Sequence, residues 1–258
     1  MRREPASAHD AKKTRQISIG TALISLLSGI MKNLIGSLKM FRYRFFYAAL
    51  TSRRYPLTTL GNAATCCAWN FSPAGLNERS IVYSAGVGRD ITFEHGLVKN
   101  YGCNVLLLDP SPTGVETMAL PENKIPQFKH LAVALAARCG TLKFSRPMDE
   151  REGSWYMQTN GPAALEVPCV DLTTLMQQNG HDHIDLLKID IEGAEYEVLD
   201  DLYKRRLPVN QVLVEFHRNL VPGGNSREFI RVILRMRRAG YRLIDMDGGN
   251  HTFLKPPR

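Results

Sequence analysis

The stretch Ile81-Val-Tyr-Ser-Ala-Gly-Val-Gly-Arg-Asp90 decides the fold. A short uncharged, largely apolar run enters a turn with glycines at 86 and 88, and Phe93 and Leu97 follow at helical spacing. Glycines at such a turn let the chain bend sharply and let its backbone approach a ligand, with free N–H groups at the start of the next helix. Working outward, Val105-Leu-Leu-Leu108 is a second apolar run, and it ends in Asp109, 21 residues after Gly88. A carboxylate at that distance can accept both hydroxyls of a ribose. Strand, glycine turn, helix, strand and acid together predict the first half of a nucleotide-type α/β fold.

The rhythm continues beyond this unit. Short apolar runs at Ile81–Ser84, Val105–Leu108, Leu131–Ala134, Leu142–Phe144, Leu186–Ile189, Val212–Phe216, Tyr241–Met246 and Thr252–Leu254 read as strands. Helices are predicted near 91–101, 112–119, 171–179, 193–205 and 226–239. The early strands carry almost no polar residues, as expected where a parallel sheet is covered on both faces. Alternating strands and helices predict a doubly wound α/β sheet. Asp247-Gly-Gly-Asn250 punctuates the last two runs as a closing hairpin.

The ligand class follows from a missing residue. A dinucleotide fingerprint needs a third Gly or Ala three positions after the second glycine, and Ile91 stands there. No Gly-Lys-Ser/Thr phosphate loop is present. S-adenosylmethionine carries a ribose but no phosphate, so the pattern favours that methyl donor over a nicotinamide. A nicotinamide-dependent oxidoreductase and a non-catalytic scaffold that keeps the donor pocket are the alternative classes.

Two further segments end at the same predicted side of the sheet. In Leu186-Leu-Lys-Ile-Asp-Ile-Glu-Gly-Ala-Glu195, Asp190 closes a strand and Glu192-Gly193 opens a helix. Open α/β sheets place their ligand crevice outside the carboxyl ends of the strands, which makes Asp190 and Glu192 catalytic candidates. Glu195 and Glu197 read as ordinary partners of a helix N-terminus, and Lys188 stays unassigned. Val212-Leu-Val-Glu-Phe-His217 ends a third strand. There His217 is either a proton acceptor or a structural histidine, and Glu215 is costly to bury unpaired. Asp190 and Glu192 offer a second option, a divalent cation held against acceptor hydroxyls.

Charge is unevenly placed. Residues 1–60 carry 11 of the 33 Lys and Arg but only two of the 25 acids, Glu4 and Asp10, so the net charge of +8 belongs to that extension. The near-neutral body argues against a nucleic-acid partner. The boundary is therefore drawn between a basic helical extension, 1–60, and a catalytic body, 61–258. Within the extension, residues 17–41 form an amphipathic helix pattern, and the apolar core of that run is too short for a spanning helix. It reads as a helix packed on protein, a membrane-surface helix, or a signal anchor. Five cysteines without metal-ligand spacing read as buried thiols of a reducing, cytoplasmic compartment, with peripheral membrane contact through 17–41 as the variant of that location.

The runs Val82-Tyr-Ser-Ala-Gly-Val-Gly-Arg-Asp-Ile-Thr-Phe93, Leu108-Asp-Pro-Ser-Pro112, Leu187-Lys-Ile-Asp-Ile-Glu-Gly-Ala-Glu195 and Val214-Glu-Phe-His217 resemble the FkbM family of methyltransferases. The resemblance covers roughly residues 78–254 and is most specific at Lys188–Glu195. It implies a class I methyltransferase fold, with a mostly parallel seven-stranded sheet whose last strand is antiparallel. It also implies O-methylation of a sugar, glycan or natural-product hydroxyl. Donor contacts are expected at Gly86, Gly88 and Asp109, extended to the neighbouring Ser84, Asp90 and Pro110. The weakly matched stretch Arg146–Gly161, with Trp155 and Tyr156, reads as a loop near the acceptor.

Overall fold

The computed structural model describes residues 51–52, 54–147, 153–158, 162–217 and 226–256. The predicted amphipathic stretch 17–41 lies outside them, as does the rest of 1–50. The compact unit that carries the site begins at Thr51, upstream of the expected 60/61 boundary. Ser52 N–H donates to the Leu243 carbonyl at 2.7 Å, and Thr51 bridges to Leu243. An antiparallel ribbon follows, β1 (Thr58–Leu60) against β2 (Trp69–Phe71). The last residues before 61 take part in strand pairing, while the basic residues of the extension precede them.

Next come β3 (Ile81–Ala85), α1 (Thr92–Tyr101), β4 (Asn104–Leu108), α2 (Pro112–Ala119) and β5 (Phe128–Leu131). α1 ends on Gly102 in the left-handed conformation that suits glycine at a helix end. α2 is capped by Ser111, whose Oγ accepts from Gly114 N–H, and Pro112 occupies its first turn. A second group of strands then forms: β6 (Ala134–Leu135), β7 (Gly140–Ser145), β8 (Tyr156–Met157) and β9 (Leu165–Val170). After it come α3 (Leu172–Asn179), β10 (Ile184–Ile189), α4 (Glu195–Arg205), β11 (Val209–Glu215), α5 (Ser226–Arg238), β12 (Arg242–Asp247) and β13 (Asn250–Leu254).

The main sheet is mixed and seven-stranded, in the order β12-β13-β11-β10-β3-β4-β5. β5, β4, β3, β10 and β11 pair in parallel, and β13 runs antiparallel to both β11 and β12. The chain leaves β3 toward β4 and β5, then returns to the other side of β3 as β10. That reversal opens a crevice beyond the ends of β3 and β10. Under the sheet, Trp69, Phe71, Phe93 and Leu97 pack with Val82, Leu107, Leu186 and Leu213 in one buried cluster. Phe71 and Phe93 meet edge to face at 5.8 Å. Each such side chain contributes about 1.5–3 kcal/mol by burial.

One predicted strand needs correction, and another lies outside the main sheet. The run Leu131–Ala134 is split: β5 stops at Leu131, a tight bend carries Val133 N–H onto the Leu131 carbonyl at 2.8 Å, and Ala134 opens β6 in another sheet. Leu142–Phe144 belongs to β7 of that same four-stranded sheet, ordered β6-β9-β7-β8, and not to the main one. β9 passes unnoticed in the sequence because Pro168 interrupts it; the structure pairs it with β6 and β7 regardless. The small sheet has its own core of Ala134, Ala136, Phe144, Val167 and Cys169, with Trp155 packed against it. Of the five free cysteines, Cys66 and Cys139 are exposed, which corrects the expectation of uniformly buried thiols.

Candidate active site

The turn after β3 is held from three sides. Gly86 has φ +89°, and a β-carbon there would stand 1.8 Å from the Asp190 carbonyl oxygen, so only glycine fits. Asp190 N–H in turn donates to the Ala85 carbonyl at 2.9 Å. Gly88, at φ +58°, differs: its missing β-carbon would meet nothing within 4 Å. Lys188, buried in β10, donates to the Gly86 carbonyl at 3.0 Å and lies 3.3 Å from Glu94 of α1. Glu94 also accepts from Ser84 Oγ at 2.5 Å.

Asp109 clamps the turn. Its Oδ2 accepts from the N–H groups of Val87 and Gly88 at 2.9 and 3.1 Å, and its Oδ1 accepts from Ser111 N–H at 2.8 Å. A carboxylate offers about four acceptor positions, so three are filled by backbone and about one remains for a ligand. Gly114 makes room for this arrangement, since a β-carbon there would lie 2.3 Å from Asp109 Cγ. Nothing in the spacing of the sequence had marked Gly114.

Across the crevice, His217 stands at the end of β11 among four carboxylates. Its Nδ1–H donates to Glu195 Oε1 at 2.7 Å. Its Nε2 lies 3.3 Å from Glu192 Oε2, 3.8 Å from Asp190 Oδ1 and 3.9 Å from Glu215 Oε1. Burial alone lowers the pKa of this imidazole, but the Glu195 hydrogen bond and the charges of Glu192, Glu195 and Asp190 outweigh it, pushing His217 up to about 9. With no cation bound, it therefore carries a proton at neutral pH and is a poor proton acceptor. Burial raises the pKa of Asp190 and Glu192. Burial together with the Asp190 charge lifts Glu215 to about 7.

Glu195, read from the sequence as a helix-dipole partner, is fully buried and also accepts from Gly193 N–H at 3.0 Å. The residue types gave no sign of this, because the contact runs between the start of α4 and the end of β11, 22 residues apart. Glu192 adopts φ +51°, uncommon for a non-glycine residue, and its carbonyl accepts from Met157 N–H of β8 at 3.0 Å. The small sheet is thereby tied to the Glu192 side of the crevice.

One cavity of about 860 Å³ connects both sides. Gly86, Gly88, Asp90, Asp109, Pro110, Asp190, Glu192 and His217 line it, together with Lys188, Glu215, Trp155 and Met157. Ser84 does not, because its hydroxyl is turned under the turn onto buried Glu94. Asp90 lines the cavity, but its carboxylate is engaged by Thr65 Oγ1, Asn62 Nδ2 and Thr92 N–H. It pins the loop between β1 and β2 to the start of α1.

Comparison with known proteins agrees with this geometry. The family profile described as the methyltransferase FkbM domain matches residues 68–243, more than half of the chain. The chain belongs to that family. It is 24% identical over 143 residues to the human protein named "Probable methyltransferase-like protein 24". That alignment takes in 55% of this chain and 33% of the relative, so the chain spans about a third of that protein's length. Among solved structures, monomeric WbdD is similar at TM-score 0.37 and 12% identity over 67% of this chain and 35% of that one. M. jannaschii TYW2, solved in complex with AdoMet, is similar at TM-score 0.35 and 13% identity over 79% and 88%. At these scores neither structure carries an argument about substrate. Among the described residues, no helix is long and apolar enough to cross a membrane.

Proposed function

We propose that the chain is a class I, S-adenosylmethionine-dependent O-methyltransferase acting on a hydroxyl of a sugar, glycan or natural product by direct in-line transfer. The observation that carries this reading is the single cavity joining the glycine turn and Asp109 to the carboxylates around His217. Its volume is of the size that holds a small cofactor with part of an acceptor. The open space at the Gly88 β-carbon position fits a donor seated on the turn, and Asp109 keeps one acceptor position for it.

S-adenosylmethionine, when bound, supplies a methyl group already activated on sulfonium. The residues of the chain then hold the acceptor hydroxyl at attacking distance and keep water away, which accounts for much of such a rate enhancement. The acceptor's proton passes to a carboxylate among Asp190, Glu192 and Glu215; burial raises all three, and Glu215, lifted to about 7, suits proton acceptance near neutrality. On this reading His217, protonated and fixed by Glu195, orients those carboxylates, in place of the base role expected of it. Trp155 and Met157 supply an apolar wall for the acceptor.

Calorimetry tests the donor half: wild-type protein binds S-adenosylmethionine, and Asp109→Asn binds it at least about tenfold more weakly. Absence of binding to wild-type protein defeats the reading. For the acceptor half, protein incubated with methyl-labelled donor and a glycan and metabolite extract should yield label in base-stable methyl ethers. Label found only in base-labile esters or in amines would show that the acceptor is not a hydroxyl.

A further inference from the structure

We propose that Asp190, Glu192 and His217 form a divalent-cation site on the acceptor side of the cavity. One ligand atom from each lies within 4.8 Å of the other two, and all three residues line the cavity. Neighbouring ligands of a six-coordinate ion with bonds of about 2.1–2.5 Å stand roughly 3–3.5 Å apart. The separation of 3.3 Å between His217 Nε2 and Glu192 Oε2 already meets that requirement, and the 3.8 Å to Asp190 Oδ1 needs a shift of a few tenths of an ångström.

Three independent features point to a cation and not to a merely acidic patch. The first is the imidazole: its Nδ1–H donates to Glu195, which leaves Nε2 as the atom aimed at the two carboxylates. A histidine that donates its second ring N–H to a carboxylate is the usual support of a metal ligand. The second is that this supporting carboxylate is fully buried and its Oε2 has no hydrogen-bond donor among the described residues. The third is charge. Asp190, Glu192, Glu195 and Glu215 surround one imidazole, while the neighbouring ammonium of Lys188 is matched by Glu94. Partly buried carboxylates in that number call for a compensating positive charge among them.

A cation bound there would take the Nε2 lone pair and supply the central positive charge. Two carboxylates and one imidazole suit Mn²⁺ or Mg²⁺ better than soft metals. Three protein ligands leave positions for oxygens entering from the cavity, and on the methyl-transfer reading those belong to the acceptor. The cation site itself does not depend on that reading.

The test is direct binding. Full-length protein stripped with chelator is titrated with MnCl2 alone, without S-adenosylmethionine, and free Mn²⁺ is read by electron paramagnetic resonance. One site per chain is expected, weakened about tenfold or more in Asp190→Asn, Glu192→Gln and His217→Ala, and about tenfold in Glu195→Gln. Circular dichroism confirms that each variant is folded. Donor affinity measured on the same samples separates the two readings, since Mn²⁺ binding without donor binding supports the cation site while defeating the proposed donor. No saturable Mn²⁺ binding up to about 1 mM, or unchanged affinity in the folded ligand variants, overturns the site.

Discussion

At the scale of single residues, the two glycines of the turn have different reasons to be glycine. Gly86→Ala would drive a β-carbon into the Asp190 carbonyl, while Gly88→Ala would meet only the conformational penalty of positive φ. The first substitution should cost about 2–4 kcal/mol of stability and the second about 1–2 kcal/mol, both read by chemical denaturation. Equal losses at both positions would show that the Asp190 contact does not set the requirement. Asp90 supplies a pH prediction. Burial works against its carboxylate, but hydrogen bonds from Thr65, Thr92 and Asn62 outweigh it and hold the pKa below the usual range. A carboxyl depressed in the folded state stabilises above its unfolded pKa and loses that contribution as pH falls through the folded value. The junction of α1 with the preceding loop should therefore loosen in acid, below about pH 4, seen as faster exchange of the Thr92 amide. In Asp90→Asn this acid step should vanish; an unchanged step would place its origin elsewhere. The glycine turn, Asp109, Asp190, Glu192 and His217 were all legible in the sequence as groups at strand ends. Their bonds were not. Ser84 and Asp109 occupy positions where a ligand contact is natural, yet whether a side chain faces cavity or backbone depends on neighbours such as Glu94 and Gly114 that are distant in the chain.

At the scale of elements, the main sheet was legible because its central strands are buried on both faces and read as unbroken apolar runs. The small sheet was not, for a physical reason. β6 and β8 are two residues long, and β7 and β9 are partly exposed, with Pro168 inside β9, so only Leu142–Phe144 stands out as an apolar run. It is this sheet that presents Trp155 and Met157 to the cavity and fastens onto Glu192. Trp155→Ala should raise the acceptor KM by about tenfold, with donor affinity unchanged within about twofold. Steady-state kinetics with donor calorimetry checks this, and an equal loss of both would mean that Trp155 supports the whole cavity and not the acceptor alone.

At the scale of the molecule, the body and the basic extension make separate predictions. Removing residues 1–50 should leave the compact unit folded and able to bind donor. Removing 1–60 also takes away the Leu243 bridge, β1, and the side chain of Leu60 that covers Gly96. That second truncation should lower the thermal midpoint by several degrees, corresponding to about 2–4 kcal/mol. Matching melting curves would return the body's border to residue 61. Fractionation of cells expressing the full chain and the 51–258 form tests membrane contact through 17–41, which requires the two to partition differently.

The contact between the Gly86 turn and the Asp190 carbonyl has a consequence for how this fold can diversify. The two loops are in backbone contact at 1.8 Å from any added carbon, so a change that moves one must move the other. New acceptors cannot be accommodated by reshaping the strand ends without disturbing the donor seat. Variation is free where side chains reach the cavity from outside that junction, as they do from β7, from β8 and from Ser154 and Trp155. Among related chains, selection for new substrates should therefore leave its record between residues 140 and 158, and the fused pair of turns should stay nearly constant.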